Sequence, residues 1–87
     1  MKAKYVILRD ADKREVVFVI DAVMYHSTFA SYFPRWEVVS AGFCSIDSFD
    51  PDRSDRPLVT AWGESVSLNV KSREEDSDIL SGHLSSI

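Results

Sequence analysis

The chain has little of what most small chemistries need. It contains one cysteine, Cys44, and two histidines, His26 and His83. One cysteine cannot form an intrachain disulfide, so no covalent staple supports the fold, and the pattern favours a reducing compartment. No apolar run approaches the ~18 residues of a membrane span. The basic start MKAKYVILRD carries an apolar stretch only from Tyr5 to Leu8, well short of the ~7–15 residues of a secretory signal. The sequence therefore reads as a cytoplasmic protein with no membrane partner.

Excess positive charge is missing too. The net charge is −4. The first 49 residues carry six basic and six acidic groups, and the remaining 38 carry four and eight. A duplex-binding surface needs the opposite sign, so direct nucleic-acid binding is not expected. No zinc spacing, P-loop or dinucleotide fingerprint occurs.

What is present suits one domain over residues 1–87, with 45% apolar and 28% charged residues. KYVILRD and EVVFVID are rich in β-branched and aromatic residues. They predict strands at 3–9 and 15–21, joined through the polar turn DADKR as a hairpin. Both runs are nearly continuously apolar, which indicates cover on both faces or a helix on one. A short helix is expected near 26–33, with Ser27 or Thr28 as cap and Pro34 forbidding continuation. A third strand follows at 36–46, where Gly42 marks a bulge or a close approach. DSFDPDRSDRP reads as a loop. A fourth strand is expected at 57–63 and a helix at 73–84, opened by Ser72 and Glu75 as a capping box. The expected fold is α+β in the order ββαββα: a small antiparallel sheet with two helices packed on one face.

Three fragments invite a chemical reading. Gly63-Glu64-Ser65-Val66-Ser67 resembles a nucleophile elbow but has serine where the second glycine must be, so Ser65 and Ser67 read as turn or edge residues. The aspartate loop from Asp50 fails the EF-hand pattern at its glycine position, which is Asp55, and at its twelfth position, Ala61. Cys44, inside a strand, reads as a small buried hydrophobe, and His26 as a satisfied polar residue at a helix start. No cofactor, metal site or catalytic group is expected.

Two surfaces remain. The acidic run Glu74, Glu75, Asp76 and Asp78 complements a helix dipole and could also meet a basic partner. The chain also holds ten aromatic residues, among which Tyr25, Tyr32, Trp36 and Trp62 are expected to be partly exposed; exposed aromatics are enriched at interfaces. Glu74, Glu75, Asp76, Asp78 and Trp62 are thus the candidate partner-binding residues.

The phrases VVSAGFC and WGESVSLNVKSREEDSDIL resemble short proteins of bacteriophages, prophages and other mobile elements. In these a VSAGF strand precedes a GES-x-SL and KSR-x-x-D segment. The likeness spans about Glu37 to Leu80. It implies an accessory role inside a bacterial cell and carries no catalytic residue with it. The expected function is a non-enzymatic inhibitor that binds a host bacterial protein or nucleoprotein complex, for example an anti-CRISPR or other anti-defence protein. The alternative is a structural or regulatory protein that self-associates, as a homodimer, through a sheet edge.

Overall fold

The computed structural model describes residues 2–47 and 58–85. Apart from Asp47, which ends a strand, the predicted aspartate loop lies outside them, as do the last residues of the expected C-terminal tail. Four strands form one antiparallel sheet: β1 (Lys2–Arg9), β2 (Glu15–Ile20), β3 (Glu37–Asp47) and β4 (Leu58–Trp62), in the spatial order β2-β1-β3-β4. Helix α1 (His26–Ala30) lies between β2 and β3. A two-stranded hairpin, β5 (Glu64–Ser65) and β6 (Val70–Lys71), precedes helix α2 (Asp76–Ser85).

The α+β class and the antiparallel sheet are as expected, but the order ββαββα gains the β5–β6 hairpin. Two-residue strands are too short to show a period-2 pattern, and their pairing follows from turn chemistry. Asn69 adopts φ 55° and its N–H bonds to Val66 C=O; asparagine tolerates this left-handed conformation better than most residues.

The helices do not share a face. Successive side chains of a strand point to opposite sides, and β1 is apolar on both. Tyr5 and Ile7 enter a cluster with Cys44, Val59 and Leu80, onto which Ile79 and Leu84 of α2 pack. Val6 and Leu8 enter the other, with Ala41, Phe18, Phe29, Phe33 and Trp36, on the α1 side. All four β1 side chains are fully buried. The sheet is therefore a middle layer, and the continuous run YVIL is what a central strand with two covers requires. Placing both helices on one face would have left Val6 and Leu8 in water, at about 1.5–3 kcal/mol each.

The β1–β2 turn is a four-residue turn, closed by Lys13 N–H to Asp10 C=O, with Lys13 itself at φ 64°. Asp10 Oδ1 accepts the N–H groups of Asp12 and Arg14, both at 2.9 Å, so a side chain supports a conformation that glycine would adopt without strain. Helix α1 is shorter than expected. It gets no side-chain cap from its own first residues; the N–H of Ser27 bonds instead to Ser67 Oγ of the β5–β6 turn, at 3.2 Å. Helix α2 starts later than expected. Ser72 Oγ is spent on Gly63 C=O at 2.8 Å. The capping carboxylate is that of Asp76, reaching back to Arg73 N–H at 3.0 Å, one residue out of register with the Ser72–Glu75 pair.

Candidate functional site

The groups that sequence reading offered for chemistry are engaged in holding the fold. His26 is buried, and its Nε2 lies 2.8 Å from Gly42 C=O. A carbonyl can only accept, so Nε2 carries the proton. Burial, with Lys4 nearby, holds the imidazole below its ordinary pKa despite that bond. Cys44 is buried and its thiol pKa is raised by desolvation, the reverse of an activated nucleophile. Ser65 is buried and its Oγ accepts from Leu68 N–H at 3.3 Å. Among the described residues no group of three or more histidine, cysteine or carboxylate side chains is placed to hold a metal.

Asp76 is also internal. Its carboxylate accepts a 2.6 Å hydrogen bond from Tyr5 Oη and a 2.9 Å charged bond from Arg73 Nε, in addition to the Arg73 backbone N–H. Burial works to raise its pKa. The Arg73 N–H, the Tyr5 hydroxyl, the nearby Ser40 hydroxyl and the Arg73 charge outweigh that and hold it below the usual carboxylate range. Ser40 Oγ itself makes no bond within hydrogen-bonding geometry, so its effect on Asp76 is the weaker kind that proximity gives. The Tyr5 hydroxyl is pushed far up, by burial first and by the carboxylate it serves. Arg73 continues outward to Glu15 of β2 at 2.8 Å, and this bond lowers the Glu15 pKa. The set Glu15–Arg73–Asp76–Tyr5 thus pins α2 to β1 and β2. Of the four acidic candidates, Glu74, Glu75 and Asp78 are exposed, and Asp76 lies beneath them where a partner cannot touch it.

The other face has a different surface. Ile20, Lys4, Phe43 and Trp62 stand in one row across all four strands. Helix α1 covers β1 farther along, at Val6 and Leu8, and leaves the Lys4–Phe43–Trp62 end of the row open. Phe43 and Trp62 stack at 6.4 Å between ring centroids and are 38% and 39% exposed. Tyr25, just before α1, stands beside them at 69%.

Together with Val66 and the Gly63 backbone these rings line an open groove of about 550 Å³. Lys4 holds its floor. Its ammonium donates to Met24 C=O at 2.9 Å and lies 5.6 Å from the Tyr25 ring centre and 5.9 Å from that of Phe43, an attractive cation–ring geometry. Gly63 permits the arrangement. Its φ is 78°, and a side chain there would meet the Phe43 ring at 3.1 Å. On the reverse face Gly42 is the close approach that its position suggested, since a Cβ would come within 2.5 Å of Trp62 C=O.

Sequence reading found Trp62 and Tyr25 and missed Lys4, Phe43 and Val66. The signal for Lys4 was its isolation as a charge beside the apolar run of β1. Phe43 and Val66 gave no separate signal. Trp36, expected to be partly exposed, is half-buried and stacks on Phe33 at 4.9 Å; Tyr32 is 66% exposed.

Neither a protein family, nor a curated protein, nor a solved structure matches this chain. No helix among the described residues is long and apolar enough to cross a membrane.

Proposed function

We propose that this chain is a non-enzymatic binding protein that acts by docking on a host bacterial protein or nucleoprotein complex and inhibiting it. The observation that carries the reading is the aromatic groove. Tyr25, Phe43 and Trp62 keep a large apolar surface in water on a chain of 87 residues, where burying aromatic area is a main source of stability. Aromatic side chains of this kind, rimmed by polar groups, supply most of the binding energy at protein interfaces. The engaged state of His26, Cys44, Ser65 and Asp76 supports a role by contact rather than by catalysis. So does the resemblance to mobile-element accessory proteins, within which an anti-defence activity such as CRISPR inhibition fits a small acidic protein. Glu74, Glu75 and Asp78 add an acidic surface suited to a basic site on the same partner.

The test is capture from a lysate of a bacterial host with intact defence systems, run with wild type and with the double variant Tyr25→Ser/Trp62→Ser. The expected result is a stoichiometric host protein on the wild type and at least a tenfold loss on the variant, about 1.4 kcal/mol or more. A partner retained equally by both would remove the groove from the interface. Loss only on a Glu74→Gln/Glu75→Gln/Asp78→Asn variant would move the interface to the acidic turn that leads into α2.

A further inference from the structure

The two edges of the sheet are built differently. On β4 the Ala61 N–H is taken by Ser77 Oγ of α2 at 2.9 Å, so the helix closes part of that edge. On the other side β2 has no neighbouring strand among the described residues. The Asp10 N–H to Arg14 C=O bond closes the β1–β2 hairpin. Bonded and non-bonded pairs alternate along an antiparallel ladder. Val16, Phe18 and Ile20 therefore turn their backbone groups toward β1, and Glu15, Val17 and Val19 turn theirs outward. Proteins usually blunt such an edge with proline, a lysine or a bulge. The stretch EVVFVI contains none of these, and its register with β1 runs unbroken from Glu15 to Ile20. Val16, Val17, Phe18 and Val19 are each only half-buried.

We infer that β2 pairs antiparallel with β2 of a second copy, making one sheet of eight strands across a two-fold axis at Val17. The register follows from the residues. Antiparallel neighbours share a face, so a two-fold pair joins positions of the same parity. With Val17 opposite itself, Val16 faces Phe18 in an apolar pair, and Glu15 and Arg14 face Val19 and Ile20, so no like charges meet. Lys13 then lies opposite Asp21, twice, at the two ends. Both are exposed side chains, and opposite charges across a strand pair are favourable. A centre at Phe18 would set Glu15 against Asp21, like charge against like, twice. A centre at Val16 would shorten the ladder and leave Asp21 without its lysine. The second copy thus offers partners to the outward backbone groups of β2 and opposite charges to Lys13 and Asp21 at its ends.

Sedimentation over a wide concentration range tests this, with three variants. Wild type is expected to reach twice 9.8 kDa. Val17→Pro removes an outward N–H and leaves the β1 ladder intact, so it is expected to be monomeric with an unchanged circular dichroism spectrum. Lys13→Asp, at an exposed turn position, is expected to weaken the dimer roughly tenfold by turning two favourable pairs into repulsive ones. In a Cys44→Ala background, Val17→Cys should form a covalent dimer on mild oxidation, because facing Cα atoms about 5.5 Å apart are within disulfide reach. Concentration-independent monomer for wild type overturns the proposal. So does a dimer that Val17→Pro and Lys13→Asp both leave intact. A monomeric wild type that captures a synthetic EVVFVI peptide also overturns it, and makes the edge a receptor for a foreign strand.

Discussion

The two faces of the sheet are closed by different means. On the α2 face a small aliphatic cluster is supplemented by a polar pin: Tyr5 and Arg73 converge on the buried Asp76 carboxylate, and Arg73 ties on to Glu15. On the α1 face the described residues show no ion pair of this kind, and the polar ties are His26 Nε2 to Gly42 C=O and Lys4 Nζ to Met24 C=O. A five-residue helix and its following turn pack Phe29 and Phe33 onto Phe18 and Trp36, and the cover meets Phe43 only at the edge of the His26 ring, leaving Lys4, Phe43 and Trp62 to line an open groove. The contrast separates stability from recognition. A directional, charge-assisted contact fixes one helix over a small area. That lets the chain leave aromatic surface open on the opposite face, where a partner can use it.

The largest expected effect breaks the pinned face. Asp76→Ala leaves the Tyr5 hydroxyl and the inner side of Arg73 without their acceptor, and should cost about 3 kcal/mol of unfolding free energy. Urea denaturation checks this. A loss below ~1 kcal/mol would mean that the aliphatic contacts of α2 suffice and that the pin is secondary.

A smaller effect sharpens the difference through pH. His26 anchors the α1 face as a neutral imidazole, and its folded pKa lies below the ordinary 6.5. Asp76 anchors the α2 face as a carboxylate, and its folded pKa lies below the ordinary 3.8. In both cases the unfolded chain takes up the proton first, so stability is full above the unfolded pKa and is lost as pH falls toward the folded one. Acidification should therefore weaken the protein in two stages, the first beginning below about 6.5 from His26 and the second from the pin, below about 4.5 for Glu15 and about 3.8 for Asp76. His26→Gln keeps a donor for Gly42 C=O and should abolish the upper stage alone. An unchanged profile between pH 7 and 5 in that variant would assign the early loss elsewhere.

Much of the framework was legible because it rests on local rules. The β-branched and aromatic content of KYVILRD, the punctuation at Pro34 and Gly42, and the polar turn DADKR place three strands and a helix within one or two residues, apart from the early end of α1 at Ala30. Cover on both faces of β1 was one of two readings its apolar run allowed, and the split of the helices was not legible. Which face a helix takes depends on the crossover through Asp21–Tyr25 and on what the β5–β6 hairpin occupies, and neither has a periodic signature. The start of α2 was misplaced because Ser72–Glu75 and Arg73–Asp76 both offer an acid three residues after a potential cap. The choice between them is made by Tyr5, 71 positions away. The same long-range contact buries one of four acids that look equivalent in sequence. Trp62 was recognisable as a candidate. Its groove needed the strand register, since only the pairing of Lys4 with Phe43, and of Phe43 with Trp62, sets the three side by side.

The most direct test of the division between faces is the stability of the Tyr25→Ser/Trp62→Ser variant, measured in the same urea titration as wild type and Asp76→Ala. The account predicts a midpoint much nearer to wild type than to Asp76→Ala, because Tyr25 and Trp62 keep much of their surface in water. A loss as large as that of Asp76→Ala would show that these aromatics hold the fold, and the groove could not then be a surface kept open for a partner.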